Sequence, residues 1–311
     1  MKSLQFLGVA QAARYGSLPE KLSAPNPLKE AVLEPLRERN AVFDHFFYDI
    51  GVLTTDEVEM LAPWYAKEGA LILVQPSDIG GLTVWAHFDA FQADAAATPC
   101  DCLAVAGVGS SALGTAAFGR NVADAIGKPV LAVVSGYGLS DLAAEALGGF
   151  FWFGWMNSLR HAFESLDVAT RISPSSLEYS TGSISSAIRG SLDVKTVHAL
   201  CAQTDISLLV GHSKGNLVIS EALYMLSELA PQRSKAMGKQ GRIATISAKI
   251  QMPRDWHDVI DIMGDMDGFG LLNSRLDIPT DHRVTGAWHH TNTELPFHLP
   301  VTRALSAAMA G

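Results

Sequence analysis

Short apolar runs alternate with longer amphipathic stretches over most of this chain. Ala70-Leu71-Ile72-Leu73-Val74 and Leu82-Thr83-Val84-Trp85-Ala86 flank a turn-rich stretch from Gln75 to Gly81, which is a hairpin pattern. A strand–helix rhythm follows. Cys102 to Ala106 is a short apolar run, Ala112 to Ile126 has helical spacing, and Val130 to Val134 is a buried run introduced by Pro129. Ser191 to Cys201 reads as a helix, Ile206 to Val210 as a strand and Asn216 to Leu229 as a helix. Ile243 to Ile250, Val259 to Met263 and Arg283 to Ala287 read as three further strands. Continuous Val/Ile/Leu runs alternating with helices predict an α/β fold, with a mainly parallel central sheet covered on both faces. The leading hairpin makes that sheet mixed.

Two stretches stand outside the rhythm. Residues 1–65 are mixed in character and punctuated by Pro25 and Pro27. Within them Leu28 to Arg39 and Asp56 to Tyr65 read as helices, the second with Thr55 as its N-cap. This predicts a helical N-terminal extension over 1–65 ahead of a domain over 66–311. The second stretch lies between Val134 and Ser191, apolar from Gly148 to Met156 and then Ser-rich from Ser173. So long an insertion inside a compact unit predicts a functional loop or cap, over about 137–190. Phe150, Phe151, Trp152 and Trp155 suit the wall of a substrate pocket, because aromatic rings give much apolar contact with few rotatable bonds. The plainer reading is that they join the core.

Composition narrows the functional classes. With 311 residues, 48% of them hydrophobic, the chain can build one large core, or a core plus a cap. No apolar run approaches the ~18 residues of a membrane span. The net charge is -9 and no basic cluster could follow a phosphate backbone, so nucleic acid is not an expected partner. Three cysteines, Cys100, Cys102 and Cys201, do not make a disulfide framework. Cys100-Asp101-Cys102 is half of a metal site without its other half, so neither metal nor cofactor is expected. A reducing, cytoplasmic location is the simpler expectation. The first residues imitate a signal peptide, with Lys2 and an Ala10-Gln11-Ala12 step, but the apolar stretch is very short and carries Gln5.

The sharpest chemical signal is Gly211-His212-Ser213-Lys214-Gly215, a G-x-S-x-G pattern set between a strand and a helix. A nucleophile elbow needs that setting. Its glycines let the chain turn tightly, and the helix N-terminus behind the serine favours developing negative charge. An ordinary strand–helix turn with a capping serine is the alternative.

In this context the chain resembles the α/β-hydrolase superfamily, its lipase-like and esterase-like members in particular, from roughly Ala70 onward. Ala106-Gly107-Val108-Gly109-Ser110-Ser111 is similar to the family's H-G-x-G-x-S loop, with Ala106 where the family has histidine. The resemblance implies an oxyanion hole made by the amides of Val108 and Lys214. With Ala106 in place of the histidine, the bracing of the loop is expected to differ from the family's. Gly264-Asp265-Met266-Asp267-Gly268 follows a late strand, where the family keeps its acid. The spacing selects Asp267, with Asp265 second, although either could simply cap a turn. Gly286-Ala287-Trp288-His289-His290 looks like the family's G-x-G-H segment, with Trp288 for the second glycine, and selects His289 with His290 second. His282 and His298 lie nearby, but no helical His pair with a Glu partner accompanies them.

The resemblance implies a serine hydrolase that cleaves carboxylic esters through an acyl-enzyme, and the aromatic cluster from Phe150 to Trp155 extends this to a small ester or lipid with an apolar acyl group. Two readings compete. Gly107, Gly109 and Ala112 also satisfy the G-x-G-x-x-A of a nucleotide-binding oxidoreductase. No acid follows the next strand, so that enzyme would use NADP and Ser135. The other reading is a non-catalytic lipid-binding protein on a hydrolase fold.

Overall fold

The computed structural model describes residues 44–62, 67–94, 100–107, 110–135 and 191–310, and residue 5 in isolation. Among these residues eight strands form one sheet: β1 (Leu71–Val74), β2 (Leu82–Trp85), β3 (Cys102–Val105), β4 (Val130–Val133), β5 (Leu208–His212), β6 (Arg242–Ile246), β7 (Val259–Gly264) and β8 (His282–Val284). The order across the sheet is β2-β1-β4-β3-β5-β6-β7-β8. β1 is antiparallel to both its neighbours, and every pair from β4 to β8 is parallel. The expected mixed, mainly parallel α/β sheet is therefore present.

Eight α-helices lie wholly within the described residues: α1 (Thr55–Leu61), α2 (Phe88–Asp94), α3 (Ala112–Ile126), α4 (Leu192–Gln203), α5 (Lys214–Leu229), α6 (Pro231–Gln240), α7 (Gly268–Leu272) and α8 (Val301–Ala310). The pleat distributes the strand residues between two cores. Ile72, Val74, Cys102, Ala104, Val130 and Ala132 pack with α1, α3 and α8 on one face. Leu71, Leu73, Leu103, Val105, Leu131 and Val133 pack with α2, α4, α5 and α6 on the other. Burial on both faces explains why the inner strands read as unbroken apolar runs, whereas the edge strand β2 is only partly buried. None of the described helices is long and apolar enough to cross a membrane.

Several details differ from the sequence reading. The strand expected over Ile243 to Ile250 is Arg242–Ile246, and Ser247, with φ 59°, follows its end. α1 is capped by Thr54, not Thr55. The Thr54 hydroxyl accepts from Glu57 N and the Glu57 carboxylate accepts from Thr54 N, a reciprocal box that fixes the first turn one residue earlier. β5 runs on through Gly211 and His212, and α5 starts at Lys214. The strand expected over Arg283 to Ala287 is His282–Val284, because Gly286 takes φ 71° and turns the chain.

Residues 44–62 share the core of the sheet. Ile50, Leu53, Val58 and Leu61 are almost fully buried there. At roughly 1.5–3 kcal/mol each, they contribute on the order of 10 kcal/mol before ordering costs. That is comparable with the whole net stability of an ordinary domain, about 5–15 kcal/mol, so the segment is part of the fold's foundation. Glu57 adds a buried ion pair with Arg120 of α3 at 2.6 Å.

Candidate active site

Ser213 stands at the carboxyl end of β5 with φ 52° and ψ -120°. A residue with a Cβ holds such a conformation at a cost of about 1–3 kcal/mol, so surrounding contacts must enforce it. They are visible. Ser213 N donates to the Ile246 carbonyl at 2.9 Å. Asn216 Nδ2 donates to the carbonyls of Ile246 and Ala248 at 3.0 and 2.9 Å, tying the first turn of α5 to the end of β6. The flanking glycines have no room for a side chain. A Cβ on Gly215 would lie 2.0 Å from the Val105 carbonyl oxygen, and one on Gly211 would lie 2.1 Å from Asn216 Oδ1. The bend therefore brings α5 directly against β3, which only glycine permits.

Two loops bring the other groups to Ser213. His289 Nε2 lies 3.1 Å from Ser213 Oγ. His289 Nδ1 lies 2.8 and 3.1 Å from the two carboxylate oxygens of Asp267. A carboxylate only accepts, so Nδ1 carries the hydrogen and Nε2 is left as the acceptor for the Ser213 hydroxyl. Burial alone would raise Asp267, but the hydrogen bond and charge interaction with His289 and the Gly270 N–H outweigh it and hold the carboxyl below its ordinary value. Gly270 N donates to Asp267 Oδ1 at 2.6 Å. Gly264, at the end of β7, is the point of contact with the His289 loop. A Cβ there would meet the Ala287 carbonyl oxygen at 2.3 Å.

The second-choice residues lie elsewhere. Asp265 Oδ1 accepts from Gly286 N at 2.7 Å, so it serves the turn before His289. His290 Nε2 donates to the Pro296 carbonyl at 3.0 Å. Lys214 is the first residue of α5, directly after Ser213. Val108, Phe150, Phe151, Trp152 and Trp155 lie outside the described residues. Ser135, the phosphate-binding candidate of the oxidoreductase reading, is fully buried and donates to the Ala106 carbonyl at 3.1 Å.

Aromatic rings enclose the imidazole. Phe47 and Phe269 each lie edge-on to the His289 ring with centroids 6.0 Å away, and Phe269 also meets Trp288 at 5.5 Å. The sequence reading missed Phe47, and with it the whole segment 44–49. Tyr48 Oη lies 2.5 Å from Gly107 N and 3.0 Å from His212 Nδ1. Asp44 accepts from Ser111 N at 2.6 Å. The available signal was two aspartates and a tyrosine interleaved with aromatics in Asp44-His45-Phe46-Phe47-Tyr48-Asp49, polar groups in a segment apolar enough to be buried.

The arrangement can move a proton from a hydroxyl to an imidazole whose opposite nitrogen is held by a buried carboxylate. No family model, curated protein or solved structure matches the chain.

Proposed function

We propose that the protein is a serine hydrolase of the α/β-hydrolase type that cleaves carboxylic esters of apolar acyl groups. The observation that carries this reading is the unbroken relay Ser213 Oγ–His289–Asp267, with contacts of 3.1 and 2.8 Å, at a strained serine between a strand and a helix. A capping serine needs neither the strain nor the imidazole. The single antiparallel inner strand and the run of parallel strands from β4 to β8 suit the same fold.

In the mechanism, His289 Nε2 takes the Ser213 proton as Oγ attacks the ester carbonyl. Asp267 keeps the imidazole in the required tautomer and stabilises the imidazolium that forms. The carbonyl oxygen gains charge at the N-terminal end of α5, where the Lys214 amide would donate; the family resemblance gives the Val108 amide as the second donor. One such donor is worth about 2.7–4 kcal/mol of transition-state stabilisation. His289 then protonates the leaving alcohol. Water attacks the acyl-enzyme by the same base, and Ser213 is restored.

A fluorophosphonate probe tests the reading. Wild-type protein should be labelled at Ser213 and should hydrolyse short p-nitrophenyl esters. Ser213→Ala should lose labelling and at least about 10³-fold in kcat with its fold intact. Hydrolysis by that variant at the wild-type rate would remove the serine from the chemistry. The oxidoreductase reading is weaker because Ser135 is buried and engaged with Ala106. Binding of NADPH by an unlabelled protein would revive it.

A further inference from the structure

The segment 44–49 lies between the two loops that the proposed chemistry uses. Toward the loop after β3 it offers Tyr48 Oη to Gly107 N at 2.5 Å and Asp44 to Ser111 N at 2.6 Å. Toward the residues after His289 it is bonded continuously. Thr291 N and Oγ1 both donate to the Phe47 carbonyl, at 2.7 and 2.9 Å. Asn292 Nδ2 donates to the His45 carbonyl at 2.7 Å, and Thr293 Oγ1 to Asp49 Oδ2 at 2.5 Å. His212 completes the connection, with Nδ1 at 3.0 Å from Tyr48 Oη and Nε2 at 3.1 Å from the His289 carbonyl.

The direction of every bond in this chain follows from the acceptors. The His289 carbonyl can only accept, so His212 Nε2 carries the hydrogen. Burial pushes His212 down to about 3, so the ring is neutral and Nδ1 has only a lone pair. Burial likewise pushes the Tyr48 hydroxyl well above its ordinary value, so it keeps its proton. Tyr48 therefore donates to His212 Nδ1 and accepts from Gly107 N–H. The chain runs Gly107 N–H to Tyr48 O–H to His212 to the His289 carbonyl, with each polar atom satisfied. Gly107 must be glycine for it to form, since a Cβ there would lie 2.8 Å from Tyr48 Oη and 3.3 Å from Ser213 Cβ.

We propose that Tyr48 and His212 act as a positioning pair for the hydrolase reaction. Through one buried chain of hydrogen bonds, they fix the backbone of the general base relative to the loop that flanks the nucleophile on its other side. The inference rests on the hydrolase reading. It supplies the bracing that a histidine at position 106 would otherwise give. Neither residue touches the reacting atoms, so their loss should disturb alignment more than substrate capture. Small misalignments at the reacting centre are expensive in rate.

The experiment compares Tyr48→Phe, His212→Gln and His212→Asn with wild type on a short p-nitrophenyl ester and a fluorophosphonate. Glutamine can present a donor near the Nε2 position, whereas asparagine reaches only the Nδ1 position. Tyr48→Phe should lower kcat about 10-fold or more with KM within about twofold, and slow labelling in parallel. His212→Gln should retain more kcat than His212→Asn, by about tenfold. That ranking holds the test open if Tyr48→Phe does not fold. Wild-type kcat in folded Tyr48→Phe, or equal losses in the two His212 variants, would overturn the pairing and leave the hydrolase reading standing. Wild-type protein that neither reacts with the probe nor cleaves the ester would overturn both.

Discussion

The loops after β7 and β3 leave the same edge of the sheet and approach Ser213 from its two sides, but they draw differently on side chains from distant parts of the chain. The β7 loop holds its carboxylate with its own backbone, and Met266 N also donates to the Ala287 carbonyl of the His289 loop at 3.0 Å. Asp267 N donates to the Gly264 carbonyl at 3.2 Å, and Gly270 N donates back to Asp267 Oδ1 at 2.6 Å, three residues away. The β3 loop is braced by imported side chains, Tyr48 at a separation of 59 residues and Asp44 at 67. A loop that presents a carboxylate can use its own N–H groups to hold that carboxylate. The described amides of the β3 loop use both kinds of acceptor: Ser110 N donates to the Gly107 carbonyl at 3.3 Å within the loop, whereas Gly107 N and Ser111 N reach side chains of the segment 44–49.

The largest expected effect breaks the β7 side. Asp267→Asn should lower kcat by about 10²–10⁴ while Asp265→Asn stays within about threefold, because only Asp267 orients the imidazole. Steady-state kinetics on one ester decides it. Equal losses in both variants would mean that the turn at Gly286, which Asp265 supports, matters as much as the charge behind His289.

This contrast also explains what could be read from the chain. The Ser213, Asp267 and His289 positions were each marked by short-range patterns: a glycine-flanked serine, an acid three residues after a strand-end glycine, a histidine after a last strand. Local patterns survive in one dimension. Tyr48, Asp44 and His212 have no such mark, since their partners lie 59 to 164 residues away. The same limit governs the elements. α3 was legible to the residue because an N-cap serine and a left-handed Gly127 bound it. α6 was not read because Pro231–Gln240 is polar, with Met237 its one well-buried large apolar side chain. Gly211 and His212 look like a turn in sequence, yet pairing with Thr245 and Ile246 of β6 keeps them in the strand.

A smaller effect concerns protons. kcat/KM should fall on the acid side with a slope approaching tenfold per pH unit, because a protonated His289 has no lone pair for the Ser213 proton. The slope should be first-order. His212, buried and held at about 3, stays neutral over the working range, and Asp267, held below its ordinary value, stays a carboxylate. A flat acid limb would exclude an imidazole base. A second-order limb would mean that His212 also titrates and that its tautomer is not fixed.

The smallest effect compares the two carboxyl groups directly, through stability. Burial pushes Asp44 up to about 7 from an unfolded value near 3.8. Between those limits the folded chain holds a proton that the unfolded chain has released, so unfolding releases a proton and stability falls as pH rises. Asp267 has the opposite sign. Its folded value lies below the unfolded one, so its contribution is present above the unfolded value and fades as pH falls through the folded one. Asp44→Asn retains an oxygen for Ser111 N but no titration. Urea unfolding at pH 5, 6, 7 and 8 should show wild type losing stability relative to Asp44→Asn as pH rises, by at most about 1.4 kcal/mol per pH unit. Parallel curves for the two proteins would mean that Asp44 is ionised in the fold throughout, and that the imported brace, like the self-made one, works as a charge rather than as a neutral hydrogen-bonding group.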